Sequence, residues 1–183
     1  MSDTPIPEEF TTALLSLRDT PRSPELVLQE IPPPRQLAPW SAGLSLHTRK
    51  EGHQNPLATG RFVVLYDPDG QIGWNGSFRI VAQLRTQIDA EMSTDPLLCE
   101  ALWNWAHDCL DDAGAGYHDL TGTVTKEMSE SFGGLQLTDS ALYVELRASW
   151  TPSTPYLGEH LSAWMELVCR TSGVTPTRHL EHI

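Results

Sequence analysis

The sequence predicts an α+β fold: an antiparallel sheet with helices packed mainly on one face. Within it we expect a tandem ββα repeat after an N-terminal helix and strand. Three observations lead there. Strands with apolar–polar alternation recur between turn residues, as in Phe78 to Ile88 and Ala141 to Trp150. Two helices carry one apolar stripe each and need a sheet to bury it. The stretch Thr59 to Gly114 also reads like Thr121 to Gly173. A shift of about 62 places puts Thr59-Gly60 on Thr121-Gly122 and Leu84-Arg85 on Leu146-Arg147. A shift shorter by three aligns Leu98, Leu102, Trp105 and Cys109 with Leu157, Leu161, Trp164 and Val168. The strand portions share few identities, so chance similarity between amphipathic units is the rival reading.

The elements follow in order. Pro7 to Arg18 reads as a helix, with Glu8 and Glu9 in the first turn and Phe10, Leu14 and Leu17 as its stripe. Thr20-Pro21 stops it. Leu26-Val27-Leu28 is a short strand within Glu25 to Glu30, and Ile31 to Pro34 an extended connector. Trp40 to Thr48 alternates weakly, as an edge strand would, and Arg49 to Pro56 is polar loop. Arg61 to Tyr66 is apolar on both faces, which marks a central strand. Asp67-Pro68-Asp69-Gly70 spells a turn, and Gly73-Trp74-Asn75-Gly76 a bulge as the chain returns. Phe78, Ile80, Ala82, Leu84 and Ile88 share one face of the next strand. A helix then starts at an Asp95 cap and stops at Gly114. Tyr117 to Met128 is a strand and Ser129 to Gly134 a loop. Leu142, Val144, Leu146 and Trp150 point inward from the last strand. Ser153 or Thr154 caps the final helix, which ends near Gly173, and a frayed tail follows.

The whole reads as one domain over residues 1–183: an N-terminal helix and strands to residue 56, ββα units at 57–114 and 117–173, and a tail from 174. A net charge of −12 argues against direct nucleic-acid binding and against an anionic membrane surface. No secretory leader or membrane span is expected, and three cysteines without framework spacing read as reduced, cytoplasmic thiols.

Signatures of chemistry are sparse. The glycines at 70, 73 and 76 lack the dinucleotide spacing, and no phosphate loop or zinc spacing occurs, so no metal or cofactor is expected. His179 and His182 read as solvated tail residues, and His107 with Asp111 as a surface pair. Two candidate sites stand out. Arg61, Arg79, Arg85 and Arg147 all fall on strands of a very acidic chain. With Gln83 and Tyr143 they compose a basic, hydrogen-bonding sheet surface suited to a carboxylate, a phosphate or an acidic peptide. Cross-strand pairing with acids such as Glu145 is the plainer account of the same residues. The second candidate is a loop site of Trp74, Glu130, Ser131 and Phe132, from the hairpin loops 67–76 and 129–134, which the repeat would make equivalent and place close together. Trp105, Trp150 and Trp164 read as core; Trp103 widens the apolar arc of its helix, so that helix is either sandwiched in the fold or meets a second copy in a homodimer.

Leu57 to Val63, Asp67-Pro68, Gly70-Gln71, Gly73-Trp74, Gly76 to Arg79, Gly122 to Thr125, Ser129 to Gly134 and Arg147 to Pro152 together resemble an actinobacterial family known only as a domain of unknown function, number three thousand. Pro24 to Pro32 and Leu37 to Trp40 fit it as well. The resemblance implies a cytoplasmic protein of about this length and brings no catalytic residue. The element order also resembles small acidic secretion chaperones, at the level of fold alone. The leading functional expectation is a non-catalytic binding or adaptor module with an unknown protein partner or anionic ligand. The rival expectation is a small hydrolase or ligand-binding enzyme using the two hairpin loops.

Overall fold

The computed structural model describes residues 4–34, 36–49, 55–133 and 141–173. The expected tail, His179, His182, Gly134 and most of the 49–56 loop lie outside the described residues. One antiparallel sheet of six strands runs in the order β1-β2-β3-β4-β6-β5. Its strands are β1 (Leu26–Ile31), β2 (Trp40–Thr48), β3 (Ala58–Tyr66), β4 (Phe78–Ile88), β5 (Tyr117–Ser129) and β6 (Ala141–Pro152). Three helices, α1 (Glu8–Arg18), α2 (Leu98–Asp112) and α3 (Gly158–Ser172), complete an α+β fold.

Pairing fixes which side chains share a face. Phe62 stands opposite Leu44 and Ala82, and Ala82 opposite Ala148. Even-numbered residues of these strands therefore form one face, and all three helices pack there. Phe62, Val64, Ile80, Leu84, Leu146 and Trp150 are buried in one cluster with Leu161, Trp164 and Val168 of α3 and Phe10 and Leu17 of α1. Trp164 reaches deepest: its indole Nε1 donates to the Gln83 carbonyl at 3.2 Å, over Gly60.

Glycine makes a second close approach possible. A Cβ on Gly122 would lie 2.4 Å from the Trp103 ring and 2.5 Å from the Arg147 carbonyl oxygen. Trp103 thus packs against β5 and is partly buried, and Trp105, expected as core, is 36% exposed. The buried arc of α2 turns toward Ala106, Cys109 and Leu110, because this helix wedges between β5 and α3.

Other expectations change for identifiable reasons. β2 is not an edge; β1 pairs along it from Leu26–Thr48 to Ile31–Gly43 and takes that position. The bulge lies in β5, between His118 and Thr121, where Asp119 has φ 56°. Residues 73–76 form loop instead, with Gly73 at φ 86° and Asn75 at φ 54°. The chain ahead of α2 is a 3₁₀ turn, Ala90–Thr94, and Asp95 accepts from the Leu97 amide at 2.9 Å without starting the helix itself. Neither Ser153 nor Thr154 caps α3. The Leu157 amide donates instead to Ser16 Oγ at 2.9 Å, so α1 supplies the acceptor from 141 residues away. Gly173 ends α3 with φ 76°, as its sequence position predicts.

Two outcomes test this packing. Gly122→Ala should lower stability by about 1–3 kcal/mol, read from urea unfolding, because neither the indole nor the Arg147 backbone can yield freely. His160 is 2% exposed and its Nδ1 accepts from Trp150 Nε1 at 2.9 Å; burial pushes its pKa down from 6.5 to about 4. The unfolded chain therefore binds the proton first, and stability is lost as pH falls from 6.5 toward 4. Between pH 7 and pH 5 the parent should lose roughly 2 kcal/mol more than His160→Gln, whose amide oxygen can still accept from Trp150.

Candidate functional site

The odd-numbered side chains of β3, β4 and β6 point to the face that none of the described helices covers. At one end of that face the loop after β3 folds back. Trp74 is 8% exposed and packs with Val63, Leu65 and Ala38. Gln71 Nε2 holds the Leu37 carbonyl at 2.8 Å. No other described segment covers the remainder, and Val81 at its middle is 39% exposed.

Register turns scattered arginines into rows. Arg61 stands opposite Gln83, and Gln83 opposite Arg147. The three cross the sheet side by side, which sets the Cα atoms of Arg61 and Arg147 about 10 Å apart. In the next row, Arg85 stands opposite Glu145. Its Nη1 pairs with Glu127 at 3.0 Å, and its guanidinium lies 4.5 Å from the centre of the Tyr143 ring. Glu145 accepts from Gln83 at 2.9 Å and from Arg147 at 3.0 Å. The bond from Gln83, then that from Arg147, holds its carboxyl below the usual range. Pairing with acids thus accounts for Arg85 and Arg147, but only Arg85 reaches across the sheet, to Glu127; the partner of Arg147, Glu145, lies two residues away on its own strand. Arg61 is exposed and makes no ion pair among the described residues.

Arg79 does not belong to this surface. It is 8% exposed, and its Nε and Nη1 donate to Ser149 Oγ at 2.7 Å and Thr151 Oγ1 at 2.9 Å. Thr151 in turn donates to the Trp74 carbonyl. Alternation placed Arg79 on the correct face; the hydroxyls that hold it come from β6, 70 and 72 residues away, and the loop just ahead of β4 closes over them. Loss of solvent lowers its pKa, an effect opposed by the charge of Asp119.

The second candidate site comes apart. The 67–76 loop joins the Tyr66–Phe78 end of its hairpin, whereas Ser129 pairs with Ala141 at the Ile88–Leu142 end. Because β4 and β6 are antiparallel neighbours, the two loops project from opposite ends of the sheet, at least about 25 Å apart. Trp74 therefore cannot share a site with Glu130, Ser131 and Phe132. Phe132 itself is 87% exposed.

Sequence reasoning missed a polar cluster at the β5 bulge. Asp119 Oδ2 accepts from Asn75 at 3.1 Å and meets His118 Nδ1 at 2.6 Å, which ties the 67–76 loop to β5. These two bonds hold the Asp119 carboxyl below its ordinary range. Nearby, Tyr117 donates to Asp111 at 2.9 Å, so His107 Nδ1, 3.3 Å from the same hydroxyl, is the donor there. Burial and Asp111 push the Tyr117 phenol up to about 12. Asn75 and Asp119 gave no spacing signal because they lie 44 residues apart and meet only where the β5 bulge faces the 67–76 loop. Burial pushes the Cys109 thiol up to about 11 and also raises Cys169, so neither is a ready nucleophile. No group of three or more metal-ligating side chains comes together among the described residues. No helix among them is long and apolar enough to cross a membrane.

A family model described as a protein of unknown function, DUF3000, matches residues 6–180. The chain belongs to this family. No curated protein and no solved structure matches it. The match spans the sheet and all three helices, so the arginine row and the loops lie within the family's own unit.

Separating structural from surface arginines is a direct test. Arg79→Met should cost about 2 kcal/mol in urea unfolding, since two charged hydrogen bonds are lost inside the fold. Arg61→Ala should change stability by less than about 0.5 kcal/mol.

Proposed function

We propose that this protein is a non-catalytic binding module that takes an acidic segment of a protein partner on the open face of its sheet. One observation carries the reading. That face presents Arg61, Arg85 and Arg147 against Glu127 and Glu145, in a chain whose net charge is −12. A surface on which arginines outnumber glutamates attracts an anionic partner more than the acidic remainder of the chain does. Val81 and the Tyr143 ring add apolar area between the charges, so the surface offers contact as well as attraction. Arg61 is the first anchor, because it gives up no internal ion pair on binding, and Arg147 at 74% side-chain exposure is the second. Free Cys99, Cys109 and Cys169 fit a reducing, cytoplasmic setting.

The test uses Arg61→Glu/Arg147→Glu beside the parent chain. Affinity capture from the source cell extract should retain a specific acidic protein on the parent. The purified partner should bind the variant at least tenfold more weakly, while thermal unfolding stays within a few degrees. Equal binding by both would remove the sheet face as the site. Concentration-dependent dimerisation of the parent, abolished in the variant, would make the occupant a second copy of this chain.

A further inference from the structure

We propose that the cleft between α1 and strands β1–β3, on the helix-covered face of the sheet, binds a compact apolar carboxylate. Leu14 and Leu17 of α1 form one wall, and Ala42, Leu44, Phe62 and Val64 form the floor. The space between them is about 160 Å³. It exists because α3 descends onto the sheet at Gly60 whereas α1 does not, and because Ala42 is short between Trp40 and Leu44. The cleft opens to solvent at its charged rim, and its volume is that of a site that holds a ligand the size of benzene.

The rim supplies the polar half of the specificity. Arg18, Arg22 and Glu30 surround the opening. Arg22 Nη1 donates to the Leu17 carbonyl at 3.1 Å, which holds the guanidinium at the lip and leaves its other donors free for an anion. Arg18 is engaged only by an exposed pair with Asp19 at 3.3 Å, a contact weak enough to exchange. A ligand of about six apolar heavy atoms fills the cavity, and its carboxylate meets the two arginines by charge-assisted hydrogen bonds. Glu30, on the same rim, is placed to take an ammonium group on the adjacent carbon. A free aliphatic amino acid and a short branched fatty acid share the required chemistry.

The probes are 4-methylpentanoate, leucine and the neutral 4-methylpentanamide, titrated into the ¹⁵N-labelled full chain. At least one of the two acids should give saturable shifts at Leu14, Leu17, Ala42 and Leu44, and the amide should bind at least tenfold more weakly. Arg22→Gln should weaken the acid about tenfold. Ala42→Leu should abolish binding while melting at or above the parent temperature; Leu44→Phe is the second filler should that variant not fold. Leucine binding tighter than 4-methylpentanoate, with the advantage lost in Glu30→Gln, assigns the amino acid; the reverse order assigns the fatty acid. Absence of saturable shifts for both acids at about 10 mM, or shifts that persist in the filled variants, would overturn the site.

Discussion

Ile80 opposite Trp150, Leu84 opposite Leu146 and Ile88 opposite Leu142 join the two halves of the chain through the antiparallel β4–β6 ladder. The other features follow from that pairing. It gathers the apolar faces of both halves into one surface wide enough for α3 to bury Leu161, Trp164 and Val168. It sends the two hairpin loops to opposite ends, which removes the loop-based site. It also sets Arg147 beside Gln83 and Arg61, residues far apart in sequence, in a single row.

The helices use one face only, and that asymmetry determines where binding can occur. On the covered face, contact distance is set by the smallest residues: Gly60 admits Trp164, and Gly122 admits Trp103. Where no such approach is made, under α1, a cavity is left. On the other face, among the described residues, the Trp74 loop covers one end of the sheet, and it buries Arg79 as it does so. The same residue type thus has different roles within one sheet. Arg79 holds a loop, Arg85 and Arg147 are internally paired, and Arg61 is available.

Much of the fold was legible because local periodicity reports directly on one-sided burial. The β4 bounds agree with the alternation from Phe78 to Ile88, and the inward set of β6 is the one the alternation names. Legibility fell where a residue far away in sequence decides the outcome. Thr154 looks like a cap, yet Ser16 of α1 accepts the bond from Leu157. Trp105 lies on the apolar stripe, yet packing between β5 and α3 buries Ala106, Cys109 and Leu110 instead. The repeat register aligned the loops as equivalents, and equivalents related across an antiparallel ladder lie at opposite ends.

By itself the sequence determined the fold class, most of the strands, the face on which Arg79, Arg85 and Arg147 would lie and the acidity against which a basic surface stands out. These depend on side-chain period and composition, which are properties of neighbours along the chain. Tertiary structure decided the strand order, the burial of Arg79, the Arg61–Gln83–Arg147 row and the cavity beneath α1. Each of these depends on how segments separated in sequence pair and pack, which no run of neighbouring residues reports.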